Sequence, residues 1–144
     1  MPRTSETLIE QSKYYDAEAQ RAKAVIDAEF DYLAGPKGML DNPFLTELQE
    51  VMAGADLEEK LERLRKLEGD YKEDSWEFNR RIKQILARST DEAAREILNR
   101  RYHERYQVWL ALNALIIAVK QQAEAARVAR DLLKFARAFG EAGD

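Results

Sequence analysis

The sequence predicts an all-α protein, an elongated antiparallel three-helix bundle of coiled-coil character with a short extra helix after a glycine/proline turn. Three observations predict it. Ala, Glu, Leu, Lys and Arg, which lose little side-chain freedom in a helix, are abundant, and 35% of the residues are charged. The three prolines and six glycines interrupt the chain at only a few places. Apolar residues recur at three- and four-residue spacing, and the β-branched runs expected of strands are missing. A chain of 144 residues is long enough for one domain with a modest core, so residues 1–144 are expected to form a single helical unit.

The first helix is predicted over about residues 5–33, with Leu8, Tyr15, Ala22, Ile26, Phe30 and Leu33 on one face. Gly35-Pro36 ends it, and the segment from Gly35 to Phe44 holds the strongest turn chemistry in the chain. Asn42-Pro43 then reads as an N-cap followed by proline at the first helical position, opening a short helix over 43–52. Ala53-Gly54 breaks that helix, and Asp56 with Glu59 makes a capping arrangement for the next, over 57–87. Along it Leu57, Leu61, Leu64, Tyr71, Phe78, Ile82 and Ile85 keep a 3.5-residue rhythm with polar skips at Glu68 and Ser75. Because the rhythm passes through Gly69, one continuous helix is expected there.

Ser89 with Glu92 forms a capping box for the last helix, predicted over 90–139 with no proline or glycine before Gly140. At ~1.5 Å per residue it would be about 75 Å long. Leu98, Trp109, Leu112, Ile116, Val119, Ala123, Ala126 and Leu133 are its expected inner seam.

The net charge of −4 hides an asymmetry. Residues 1–77 hold 10 Lys/Arg against 19 Asp/Glu, whereas residues 78–137 hold 13 against six. The two halves suit packing against each other; the basic half also suits an acidic partner or a phosphate backbone. With no cysteine, disulfides, thiolate catalysis and cysteine-based metal sites are excluded. The polar N-terminus lacks the apolar core of a secretory signal, which predicts a cytoplasmic protein as written, or a periplasmic or cell-surface one if a signal has been removed. The longest apolar run, Val108 to Val119, is too short to span a bilayer, so no membrane span is expected.

No catalytic, cofactor or metal constellation emerges, and a non-enzymatic protein is expected. His103 is the only histidine, and Arg100 stands where a di-iron Glu-x-x-His motif needs its glutamate. Glu58, Glu59 and Glu62 lack a matching second carboxylate pair for a metal, and Glu92 and Glu96 complement the helix dipole beside the cap. Gly35 and Gly38 are followed by no Gly-Lys-Ser/Thr, so they form a turn and not a phosphate loop.

Two surfaces stand out. Trp109, Leu112, Asn113, Ile116 and Ile117 mark a helix–helix interface, in which Asn113, the lone polar residue of the apolar run, either fixes register or faces solvent. Arg127, Arg130, Lys134 and Arg137 share one side of the last helix and, with Arg100, Arg101 and Arg105, are candidates for an acidic partner or nucleic acid. No aromatic platform interleaves these cations. Trp76, Trp109, Tyr14, Tyr15, Tyr102 and Tyr106 are assigned to bundle core and rim in preference to a ligand box.

Two segments resemble the minor pilus-tip subunits of conjugative type IV secretion systems. One runs from Tyr32 to Leu45, through Gly35, Gly38, Asn42, Pro43 and Leu45. The other runs from Arg81 to Glu92 into the last helix, where Asn113, Gln121 and Gln122 are similar to polar positions of that family. Members of that family also carry an export signal and a longer middle segment. The resemblance implies a non-enzymatic adhesin or pilus-assembly component with a three-helix elongated core. The expected function is accordingly a structural or interaction protein that assembles through long helices with itself or other proteins, in a secretion, conjugation or phage-type assembly. The alternative is a nucleic-acid-binding helical module, such as a small ribonucleoprotein subunit, using the basic C-terminal half; no small-molecule substrate is indicated.

Overall fold

Local sequence chemistry sets the ends of the helices. The computed structural model describes residues 3–143 and contains α1 (Thr4–Ala34), α2 (Phe44–Ala53), α3 (Leu57–Arg88) and α4 (Glu92–Glu141), with no strand among the described residues. The chain is an all-α helical bundle, and α3 runs unbroken through Gly69. No helix among the described residues is long and apolar enough to cross a membrane.

After α1 the chain turns back on itself. Met39 N–H donates to the Tyr32 carbonyl and Leu40 N–H to the Leu33 carbonyl, each at 3.0 Å, and Leu33 and Leu40 are both buried. A Cβ on Gly38 would lie 2.6 Å from the Leu33 carbonyl oxygen, so only glycine fits this close approach.

The capping expectations fare differently. The Asp56 carboxylate accepts from Glu59 N–H at 3.1 Å and caps α3 as expected. Asn42 does not cap α2: Pro43 occupies the N-cap position, and Asn42 Oδ1 instead accepts the Thr46 hydroxyl at 2.7 Å. Ser89 does not cap α4 either. Asp91 Oδ1 accepts from Ala93 N–H at 3.0 Å, while Ser89 Oγ accepts from Asp91 N–H at 3.2 Å. The ionised carboxylate nearer the helix wins over the hydroxyl, because a charge-assisted bond to the free N–H groups is the stronger one.

The described chain divides into two compact units. The first comprises Met1–Asp27 and Ile117–Asp144, which bring together the first turns of α1 and the last turns of α4. Its buried residues are mostly small, with Ile26 of α1 and Val119 of α4 the larger ones. Ser12, Ala19 and Ala22 of α1 and Ala129 and Ala136 of α4 are buried, and the Ser12 hydroxyl donates to the Ala129 carbonyl at 2.8 Å. A side chain that short reaches a backbone carbonyl only where two helices approach closely. Tyr15, expected on the inner face, is exposed and packs edge-on against Tyr14. Ser12 and Ala19 take the inner positions that the apolar pattern had given to larger residues.

The second unit, Ala28–Ile116, holds the end of α1, all of α2 and α3, and the first half of α4. Leu33, Leu40, Leu48, Val51, Leu64, Leu67, Tyr71, Val108, Leu112 and Leu115 form its core. Phe44 meets Tyr71 edge to face at 5.2 Å, and Arg63 bridges α3 to Glu47 of α2 at 3.0 Å. The helices α3 and α4 run antiparallel, since Glu68 pairs with Trp109, Asp74 with Arg105, and the Leu86 carbonyl with Arg95. Towards the α3–α4 turn, Ile82 is buried but Ile85 and Ile97 are exposed, so the expected seam through Ile85 does not reach the end of the hairpin.

The inner seam of α4 agrees with expectation at Leu112 and Val119 and departs from it elsewhere. Val108, Ala111, Leu112, Leu115, Ala118, Val119, Ala129 and Ala136 are buried, whereas Leu133 is exposed. In a helix apolar on most sides, periodicity alone does not choose between adjacent faces.

Candidate functional site

A groove of about 650 Å³ runs along the antiparallel α3 and α4 within the second unit. It arises from two helical faces. On α3, Lys72, Trp76, Arg80 and Lys83 recur at spacings of four, four and three; on α4, Tyr102, Tyr106 and Trp109 recur at four and three. Each set therefore lies on one side of its helix, and both sides line the groove.

Arg105 fixes the groove's floor. Its guanidinium carbon lies 4.8 Å from the Tyr71 ring centre and 5.1 Å from that of Phe78, Nε donates to Ser75 Oγ at 3.1 Å, and Nη2 pairs with Asp74. These contacts join α3 to α4 through cation–π and hydrogen-bonded terms. Burial raises the Tyr71 phenol to about 12, helped by the Asp41 and Asp74 carboxylates and opposed by Arg105 and Ser75. At the other end Trp109 Nε1–H donates to Glu68 at 2.6 Å, and the Lys72 ammonium sits 5.9 Å from the Trp109 ring centre.

Above this floor the aromatic rings face solvent. Trp76 is 71% exposed and Tyr106 49%, with Tyr102 exposed beside them; the Tyr106 and Trp109 rings lie 6.0 Å apart, tilted by 30°. Core and rim was the expected setting for these residues, and for Trp76, Tyr102 and Tyr106 the structure corrects it. Trp76 follows the seam position Ser75 by one residue, about 100° round the helix, which turns it off the α4-facing side. The lining holds the cations Lys72, Arg80, Lys83 and Arg105 against one carboxylate, Glu77, which pairs with Arg80 at 2.6 Å.

No family model, curated protein or solved structure matches the chain.

The residues singled out in the sequence are dispersed. Leu112 is 1% exposed and belongs to the core of its own unit, which removes it from any surface offered to a partner. Asn113 turns Nδ2 back to the Trp109 carbonyl of the preceding turn at 2.9 Å, so that amide group serves its own helix. Trp109 and Ile116 are half-buried, while Ile117 is exposed. Among the basic candidates, Arg105 is committed to the floor contacts. Arg100 and Arg101 are exposed on α4 in the second unit, and Arg127, Arg130, Lys134 and Arg137 are exposed on α4 in the first. His103 is exposed, with its ring 5.8 Å from that of Tyr102. Among the described residues no group of three acidic or histidine side chains is placed to hold a metal.

A further surface was missed in the sequence. On α4 in the first unit, Val128, Leu132, Phe135 and Phe139 follow spacings of four, three and four, with Val128 and Leu132 half-buried, Phe135 57% exposed and Phe139 45% exposed. This is the a/d spacing of a coiled-coil seam, and it lies beside the alanine seam that meets α1. The heptad rhythm was available in the sequence, but Ala126 and Leu133 offered an equally regular alternative.

Proposed function

We propose that this protein is a non-enzymatic assembly component that joins a second copy of itself through the Val128–Leu132–Phe135–Phe139 stripe of α4. The exposure of Phe135 and Phe139 in a 4-3-4 stripe is the observation that carries this reading. Large aromatic side chains spaced as a seam, yet left in water, are costly unless another surface covers them. The occupant that matches such a stripe is another helix with the same rhythm, and a second chain supplies one by two-fold symmetry. In function this is a building block of a larger structure. The segments 32–45 and 81–92 suggest a secretion or conjugation assembly as the setting, through their resemblance to pilus-tip subunits.

Sedimentation equilibrium of the full chain tests the proposal. A dimer or larger species is expected, shifting to monomer with unchanged helicity in the Phe135→Ser/Phe139→Ser variant. A monomer across the whole concentration range would refute it.

A further inference from the structure

The groove between α3 and α4 contains features that assembly through the end of α4 does not use. It combines exposed planar rings, an excess of positive charge and a rigid floor. Trp76, Tyr102 and Tyr106 offer ring faces to solvent, and four cations against one carboxylate line the same space. The positive charge continues beyond the groove: residues 78–102, which form the α3–α4 hairpin, hold seven Lys/Arg against three Asp/Glu. An apolar peptide would offer no counter-charge to Lys72 and Lys83. An acidic peptide would satisfy the charge, but covers Trp76 with a flat group only where it also carries an aromatic side chain, whereas every nucleotide carries one.

We propose that this groove binds single-stranded nucleic acid, with bases stacking on Trp76, Tyr102 and Tyr106 and the backbone phosphates meeting Lys72, Arg80 and Lys83. Each base has a π-face, so such a platform binds strands with little sequence preference, while the cations supply an affinity that depends on salt. Lys72 and Lys83 are 11 residues apart on α3, about 16 Å along the helix, a length that suits several linked nucleotides better than one. The Tyr106 and Trp109 rings are too close for a base to enter between them, so stacking takes place on the outer faces, Trp76 foremost. The Arg80–Glu77 pair is exposed at the surface and is readily exchanged for a phosphate contact. Arg105 holds the two helices in place and takes no part in binding.

The test is a titration of the full chain with labelled oligothymidylate and oligouridylate at several salt concentrations, followed by anisotropy and by quenching of tryptophan fluorescence. Binding should weaken steadily as salt rises. Trp76→Ala should lower affinity roughly ten-fold or more, and Lys72→Glu/Lys83→Glu should lower it further and flatten the salt dependence. Trp76 and both lysines are exposed, so the variants should stay helical, which circular dichroism checks. No binding at low salt overturns the proposal. So does binding that survives Trp76→Ala but is lost in Arg127→Ala/Arg130→Ala, which would place the contact at the end of α4. Equal, Trp76-dependent binding of polyglutamate would assign the groove to an acidic protein segment and also overturn it. The Phe135→Ser/Phe139→Ser variant should bind the oligonucleotides with unchanged intrinsic affinity per chain, which separates this site from self-assembly.

Discussion

The Arg105 guanidinium lies over the Tyr71 ring at 4.8 Å and joins α4 to α3 across 34 positions of the chain. Its side chain is 17% exposed, and the paired Asp74 side chain is 54% exposed. Arg105→Ala should therefore destabilise the protein by about 2–3 kcal/mol, through lost stacking, lost packing and the lost Ser75 bond. Asp74→Ala should cost under about 1 kcal/mol, as for a surface ion pair. Arg105→Lys should recover only part of the loss, since an ammonium has neither the planar face nor the fork of donors. Urea unfolding of the three variants measures the ranking.

Gly69 sits within α3, and a Cβ added there would meet nothing within 4 Å. Gly69→Ala should raise stability by about 0.5–1 kcal/mol, mainly by restricting the unfolded chain. Thermal unfolding followed at 222 nm checks this. A loss of stability would show that glycine is needed there for a conformation other than the helix.

Tyr71 makes stability depend on alkaline pH. Its folded pKa, about 12, lies above the unfolded value of 10.0, so the folded state holds the proton more tightly. The stabilising contribution is complete below pH 10 and is lost as pH rises through about 12. The urea midpoint should fall across that window, and the difference between the wild type and Tyr71→Phe isolates this residue from the lysines that titrate nearby. In an absorbance titration, Tyr71→Phe should remove the last phenol to ionise.

The cap of α4 gives a direct comparison between neighbours. Asp91→Ala should cost about 1 kcal/mol, because Asp91 Oδ1 accepts from Ala93 N–H and, at 3.4 Å, Ala94 N–H. Ser89→Ala removes a bond to the N–H of Asp91, outside the helix, and should cost less. The opposite order in chemical denaturation would return the cap to Ser89.

The sequence made the helices and their main breaks legible, because each break rests on local chemistry. Gly38 is needed where the chain returns beneath Leu33, and Asp56 caps the helix it precedes. The caps of α2 and α4 were misread for the same local reason: several polar side chains lay within reach, and spacing alone does not say which meets the free N–H groups. The candidate groove was half legible. Tyr102, Tyr106 and Trp109 plainly share a side of α4, but whether that side faces core or solvent depends on where α3 lies, and that follows from long-range contacts such as Glu68 to Trp109. The aromatic residues were assigned to core and rim in preference to a ligand box, and the cations were grouped by charge along the chain. Only the fold brings Arg80 and Lys83 of one helix beside Tyr102 and Tyr106 of the other.

The methyl-lined seam between Ser12, Ala19 and Ala22 of α1 and Ala129 and Ala136 of α4 has a consequence for amide exchange. Toward the start of α1 and the end of α4 the buried side chains are small, so the free energy of opening at those ends should be lower than in the core around Leu64, Tyr71 and Leu112. Amides at the start of α1 and the end of α4 should exchange with deuterium first in the isolated chain. They should slow markedly when a bound partner covers Phe135 and Phe139, because a partner selective for the closed pair shifts the opening equilibrium by mass action.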